Sequence, residues 1–248
     1  MQAAEAEALI APPVDILEDA SLFLDFDGTL VEIAARPDGV AVDARLTALM
    51  RRLRERVHGR LAILSGRAAA DIRTLFGTPE FIVSGSHGME FHYPDGDAVL
   101  APRPESLSSA LADMRDLAEC WPGVLVEDKP LGAALHYRGN PQAEQACIAL
   151  AQTLAARHGL YLQTGKMMIE VRAGGGDKGD ALRRLMESPE MRGTTPIFLG
   201  DDDTDEPGFI AAAMLGGAGV LIGPERPTAA RYRLASVSDT LDWLETAS

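Results

Sequence analysis

The chain has 248 residues, of which 46% are hydrophobic and 24% charged, an ordinary balance for a globular protein with room for one large domain or two modest ones. Its formal net charge of −14 repels nucleic acid and anionic membranes, and no apolar run approaches the ~20 residues that span a bilayer. Nucleic-acid and membrane partners are therefore not expected, and an anionic substrate would need a metal ion or local positive side chains to overcome the field.

The opening stretch MQAAEAEALIAPPVD has acidic residues and no basic residue ahead of its apolar part, so it does not read as a secretory signal and a cytoplasmic location is expected. SLFLDF reads as a buried strand, and from Asp43 the residues Leu46, Leu49, Met50, Leu53 and Val57 recur at helical spacing. RLAILS is the next strand, AAADIRTLF a short helix and EFIVSG a third strand. In MEFHYPDGDAVLA a Pro-Asp-Gly turn joins two short strands as a hairpin. A helix is predicted from about Pro104 to Cys120, then strands GVLVEDK and GAALHYR, an Ala-rich helix over 141–158, and a strand pair LYLQT and KMMIEVR. Alternation then returns, with helix DKGDALRRLME, strand TPIFLG, helix DEPGFIAAAML, strand AGVLIG and a closing helix DTLDWLET.

Strands alternating with helices at both ends predict an α/β core with a parallel sheet, built from residues 1–93 and 174–248. The hairpins and helices between predict an inserted α+β unit at residues 94–173, its antiparallel sheet covered on one side. Cys120 and Cys147 fall in helical patterns without metal-ligand spacing and are expected to be reduced, partly buried thiols.

Asp25 ends the first strand and Asp27 begins its loop, the place where open parallel sheets bind ligands, with Gly28 free to turn the backbone sharply. Asp27-Gly28 could equally be a plain turn. A second acidic cluster, Asp201, Asp202, Asp203, Asp205 and Glu206, follows another apolar strand, and it too could be a solvated loop at a helix start. Together the two clusters form an oxygen-rich site suited to a hard divalent cation such as Mg²⁺. Ser65, at a third strand end before Gly66, is either an ordinary helix cap or a phosphate ligand. Lys178, in GGGDKGDAL at a helix entry, is either an exposed lysine or a positive contact for the same phosphate.

In this order DFDGTL, LSGR, Lys178 in DKG and GDDDTDE resemble the four-motif signature of the haloacid dehalogenase superfamily, mostly phosphohydrolases. The resemblance implies a Rossmann-like core with a cap, Asp25 as nucleophile and Asp27 as general acid/base. It further implies Mg²⁺ bound by Asp25, Asp201 and the Asp27 backbone carbonyl, with Asp202 and Asp205 supporting the metal shell. Ser65 and Lys178 would hold the phosphoryl group.

The insert places Glu127 and Lys129 on one strand face, His136 and Arg138 on the next, and Lys166 and Glu170 together if that segment is extended. These groups either face water as charged pairs or form a polar roof that reads sugar hydroxyls. VEDKPLGAALHYR, GKMMIEVR, SGSHGME and GDDDTDE are similar to the trehalose-6-phosphate phosphatases. That resemblance implies hydrolysis of trehalose 6-phosphate, with Glu127, Lys129, Lys166 and Glu170 contacting the distal glucose; Arg138 is a further substrate-binding candidate from its place on the strand face. The chain departs from the family at VRAGGGDKG, where proline often follows the arginine. Other sugar phosphatases (for sucrose phosphate or mannosyl-3-phosphoglycerate), a phosphotransferase and a non-catalytic sensor remain as rival readings.

Overall fold

A computed structural model describes residues 9–34, 39–77 and 79–248; residues 1–8 of the N-terminal stretch lie outside the described residues. The chain forms two sheets. The larger has eight strands, β1 Ala20–Leu24, β2 Leu61–Leu64, β3 Ile82–Gly85, β4 Glu90–His92, β5 Ala98–Leu100, β10 Thr195–Gly200, β11 Ala218–Ile222 and β12 Tyr232–Leu234, in the order β12-β11-β10-β1-β2-β3-β4-β5. Pairing is parallel from β12 to β3 and antiparallel through β4 and β5. Every residue of β1, β2 and β11 is buried. Such strands are covered on both faces, which is why their sequences are unbroken apolar runs rather than alternating ones.

The covering helices are α1 Ala44–Arg56, α2 Ala69–Phe76 and α7 Val237–Ala247 on one face, and α5 Lys178–Met186 and α6 Glu206–Met214 on the other. Leu22, Leu24, Ile63 and Leu199 join the first core, while Phe23, Ala62, Leu64 and Phe198 point the other way into the second. The period-2 alternation of side chains thus feeds two cores from the same strands.

The second sheet is fully antiparallel, in the order β6-β7-β9-β8, from β6 Leu125–Lys129, β7 Gly132–His136, β8 Tyr161–Gly165 and β9 Met168–Arg172. Helices α3 Glu105–Cys120 and α4 Glu144–His158 cover one of its faces, packing Leu107, Leu111, Met114 and Leu154 against Ala133, Leu135, Ile169 and Val171. The predicted insert from residue 94 includes Ala98–Leu100, and these residues pair with β4 at the edge of the larger sheet. Both cysteines are free thiols, but against the expectation of partial burial Cys120, the last residue of α3, is exposed, while Cys147 is buried in the core under the second sheet. Among the described residues no helix is long and apolar enough to cross a membrane.

Candidate active site

Strand register brings the chemistry together. Leu24 lies opposite both Leu199 and Ile63, so β1, β10 and β2 end side by side. Asp25, Asp201 and Ser65 follow directly from those ends. Asp25 is buried, and its backbone N–H donates to the Leu199 carbonyl at 2.9 Å. Thr29 donates its hydroxyl to Asp25 Oδ2 at 3.2 Å. The Lys178 ammonium donates to Asp25 Oδ1 and to Asp205 Oδ1, each at 2.6 Å.

Lys178 opens α5, where a cation opposes the helix dipole and, being buried, loses its hydration. The two carboxylates more than offset that burial, and the pKa of Lys178 rises, so it stays charged. Burial pushes the Asp25 carboxyl well above its ordinary value; Lys178 draws it back only in part, and Asp205 and Asp201 add repulsion. These carboxylates call for further positive charge.

Oxygens of Asp25, Asp201 and Asp205 lie within 4.8 Å of one another. These three carboxylates face two ammonium groups, Lys178 and, across the cleft, Lys166, whose Nζ is 2.6 Å from Asp201 Oδ2. One negative charge is left over, and an all-oxygen donor set suits a hard cation, so these residues fit Mg²⁺. Gly28 makes the approach possible: its φ is +84°, and a Cβ there would lie 2.3 Å from Asp201 Oδ2. Asp205, expected only in support, stands in this trio. Its Oδ2 also accepts the backbone N–H groups of Asp201 and Asp202 at 2.9 Å, fixing the loop. The Asp202 carboxylate lines the cleft but is turned to accept the Asp203 N–H at 2.7 Å, capping the short turn 203–205.

Ser65 Oγ does not cap α2, whose N-cap is Ala68; it accepts the Arg67 N–H at 3.1 Å. Arg67 in turn holds Asp27, donating Nε to Oδ2 at 2.6 Å and Nη2 to Oδ1 at 2.7 Å. Arg67 and His87 are cleft residues that sequence reasoning did not single out. Both lay inside stretches that carried the resemblance, Arg67 in LSGR and His87 in SGSHGME, but neither was assigned a role there.

The uncovered face of the second sheet supplies the other wall. Glu127 is opposite Ala134 and Ala134 opposite Glu170, so both acids share that face with Lys129, His136 and Met168. Lys129 and Glu170 are both buried and bond each other at 2.6 Å. Burial opposes the Lys129 charge, but Glu170 and Glu127 outweigh it and raise its pKa. Glu127 Oε2 lies 2.7 Å from His136 Nε2. Burial raises the Glu127 carboxyl, but His136, Lys129 and Arg67 outweigh burial and leave it below its ordinary range. Lys166 sits not in an extended strand but in the β8–β9 turn, beside Met167 at φ 63°. Arg138 lies past β7 and donates Nη2 to the Lys166 carbonyl at 3.1 Å.

Asp25, Asp27, Ser65, Lys178 and Asp201 from the side of one sheet and Glu127, Lys129, Arg138, Lys166 and Glu170 from the side of the other line one cleft of about 200 Å³. A carboxylate at a central strand end, a lysine against it, an acidic trio and a capping sheet together define a haloacid dehalogenase-type phosphatase fold. The Trehalose-phosphatase family profile matches residues 23–238. The chain is 36% identical over 225 residues to the trehalose-6-phosphate phosphatase of Escherichia coli strain K12, covering 90% of this chain and 84% of that one. It is 35% identical to a probable trehalose-phosphate phosphatase of Sinorhizobium fredii, over 91% of this chain and 86% of that one. Among solved structures, the C-terminal domain of the C. albicans trehalose-6-phosphate phosphatase superposes with a TM-score of 0.83 at 23% identity, covering 97% of this chain and 98% of that one. A trehalose-6-phosphate phosphatase related protein superposes with a TM-score of 0.77 at 28% identity, covering 91% and 95%. The chain belongs to the trehalose-phosphatase family and is a phosphoric monoester hydrolase.

Proposed function

We propose that the protein hydrolyses trehalose 6-phosphate to trehalose and phosphate in two steps, with Asp25 as nucleophile and Mg²⁺ as cofactor. The observation that carries this reading is the cleft itself: Asp25, Ser65 and Lys178 at one end, and Glu127, Lys129, Arg138, Lys166 and Glu170 along the opposite wall. The larger sheet does the chemistry and the smaller one reads the sugar, as core and cap.

In the first step an Asp25 carboxylate oxygen attacks phosphorus and the bond from phosphorus to the sugar oxygen breaks. Asp27 gives that oxygen its proton, and trehalose leaves. In the second step Asp27 takes a proton from water as the water attacks phosphorus, which frees phosphate and restores Asp25. Ser65 and Lys178 hold the phosphoryl oxygens, and Lys178 offsets their charge. Bound at Asp25, Asp201 and Asp205, Mg²⁺ supplies further neutralisation of phosphoryl charge. The cytoplasm is the proposed setting, in keeping with the unpaired thiols of Cys120 and Cys147.

Phosphate release from trehalose 6-phosphate, sucrose phosphate, mannosyl-3-phosphoglycerate and glucose 6-phosphate, each with Mg²⁺ and with EDTA, tests the reading. Trehalose 6-phosphate should have the highest kcat/KM, and only with Mg²⁺. Preference for another of these esters, or full activity in chelator, overturns it.

A further inference from the structure

Among the described residues His87 faces the cleft with no side-chain hydrogen bond to the protein. His87 is only 8% exposed and lines the same cleft as Asp25 and Lys178. Neither of its ring nitrogens is hydrogen-bonded to another described residue. Buried polar groups in native proteins are almost always paired, so an unpaired one facing a cleft is available to a ligand.

The backbone works to put it there. Ser86, His87 and Gly88 have φ of 48°, 56° and 93°, three left-handed residues in a row of which two are not glycine. Such a run persists only where surrounding contacts hold it, and it clusters at functional sites. Here the Ser86 N–H donates to the Arg67 carbonyl at 2.8 Å and the His87 N–H to the Ser65 carbonyl at 3.0 Å. The Ser86 hydroxyl donates to Glu90 Oε1 at 2.6 Å, and the same oxygen accepts the Ala69 N–H at 3.1 Å. A Cβ at Gly88 would lie 2.8 Å from the Asp177 carbonyl oxygen, so the turn is wedged against the entry to α5.

The neighbouring loop is shaped around the ring. A Cβ at Gly66 would lie 2.6 Å from His87 Nε2, so position 66 has no room for a side chain. Lys129, from the opposite wall, donates to the Gly66 carbonyl at 3.3 Å. His87 therefore stands where the phosphoryl-binding loop meets the sugar-facing wall. His87 lines the same cleft as Ser65 and Lys178, within which a sugar ring attached to a phosphate held by those two residues would lie.

We propose that His87 hydrogen-bonds hydroxyls of the phosphate-bearing sugar ring and so favours sugar phosphates over other phosphomonoesters. The inference rests on the phosphatase reading above. A neutral imidazole has one donor and one acceptor, which matches a hydroxyl group's own pair. Burial, followed by Lys178, Arg172 and Lys129, holds the ring neutral by pushing its pKa well below the ordinary value.

The test compares wild type with His87→Asn, which keeps a residue tolerant of left-handed backbone but removes the ring, and with His87→Phe, which keeps the ring and removes its polar atoms. The readout is kcat/KM for the best sugar phosphate relative to kcat/KM for p-nitrophenyl phosphate. That ratio should fall about tenfold in both variants, the loss of one or two buried hydrogen bonds. Should one variant fail to fold, the other gives the same ratio. An unchanged ratio, whether from equal losses on both substrates or from no loss, overturns the proposal and makes His87 a support for the Ser65 loop. A wild-type preference for a sugar phosphate other than trehalose 6-phosphate would contradict the assigned substrate while leaving this comparison intact. A wild type that hydrolyses only the aryl ester overturns both.

Discussion

Arg67 grips Asp27 with two hydrogen bonds, 2.6 and 2.7 Å long, from the same loop that carries Ser65. The fork fixes the carboxylate in one orientation, and a planar guanidinium is suited to that. If Asp27 protonates the leaving oxygen, Arg67 is its positioning residue. Arg67→Met should then lower kcat for trehalose 6-phosphate by about 10- to 100-fold, and for p-nitrophenyl phosphate much less, because nitrophenolate leaves without a proton. Asp27→Asn should show the same contrast more strongly. Equal losses on both esters would assign Arg67 to phosphate binding instead.

Asp25→Asn removes the attacking oxygen charge with little change of volume. Turnover should fall by more than a thousandfold, since no other carboxylate can take its place at the end of β1. The fold should persist, because Lys178 keeps its bond to Asp205. Circular dichroism and phosphate release from one preparation check both statements, and activity within tenfold of wild type would exclude Asp25 as nucleophile.

Gly28→Ala places a methyl group 2.3 Å from Asp201 Oδ2 on a backbone with φ of +84°. Alanine is strained at that φ, at a cost of about 1 kcal/mol before any clash. The variant should melt at a lower temperature and bind Mg²⁺ at least tenfold more weakly by calorimetry. Unchanged metal affinity would remove Asp201 from the metal site.

The burial of His87 has a pH signature. Its folded pKa is depressed below the ordinary 6.5, chiefly by burial and then by Lys178, Arg172 and Lys129. Below pH 6.5 the unfolded chain therefore takes up a proton that the folded chain refuses. The stability tied to the neutral ring is complete above that pH and is lost as pH falls below it, by at most about 1.4 kcal/mol per pH unit. Denaturant unfolding of wild type and His87→Asn between pH 7.5 and about 5 should diverge in this sense. Parallel curves would show that the ring titrates normally.

The pair Lys129–Glu170 changes what a truncation there reports. Both side chains are buried and they bond each other at 2.6 Å. Glu170→Ala would leave the buried ammonium only the Gly66 carbonyl at 3.3 Å and Glu127 at 4.0 Å, and should cost stability, up to about 3–5 kcal/mol if the charge were left wholly uncompensated. Lys166 is half exposed, so Lys166→Ala should spare the fold. It should also lower kcat/KM for trehalose 6-phosphate by about 10- to 150-fold, the range for lost charge-assisted hydrogen bonds. Equal losses on p-nitrophenyl phosphate would mean that Lys166 acts on the acidic trio rather than on the sugar.

Much of this was legible in the sequence because the physics is local. Strands β1, β2 and β10 are buried on both faces and read as apolar runs, and their ends could be located to a residue or two. Asp43 at the start of α1 accepts the Leu46 N–H at 2.8 Å, so the helix begins where its cap stands. The three-residue β12 was too short to leave a pattern. Nor does composition distinguish Asp205 from Asp202 in a run of acids; the turn over 203–205 decides which carboxylate points inward. Lys166 and Asp201 are 35 positions apart and meet only because one sheet packs over the other, while Lys129 and Glu170, 41 apart, meet only because strand order places β6 and β9 on either side of β7. The left-handed turn at Ser86 and His87 had no glycine at either position to announce it.

The central claim is that phosphate passes from trehalose 6-phosphate to Asp25 before it reaches water. Acid quenching during turnover with Mg²⁺, followed by borohydride reduction and peptide mass spectrometry, reads it directly, because reduction converts an aspartyl phosphate to homoserine. The account predicts homoserine at position 25 with trehalose 6-phosphate and Mg²⁺ together, and none in EDTA or in Asp25→Asn. Steady turnover with aspartate intact at position 25, or homoserine at Asp27 or Asp201 instead, would contradict it.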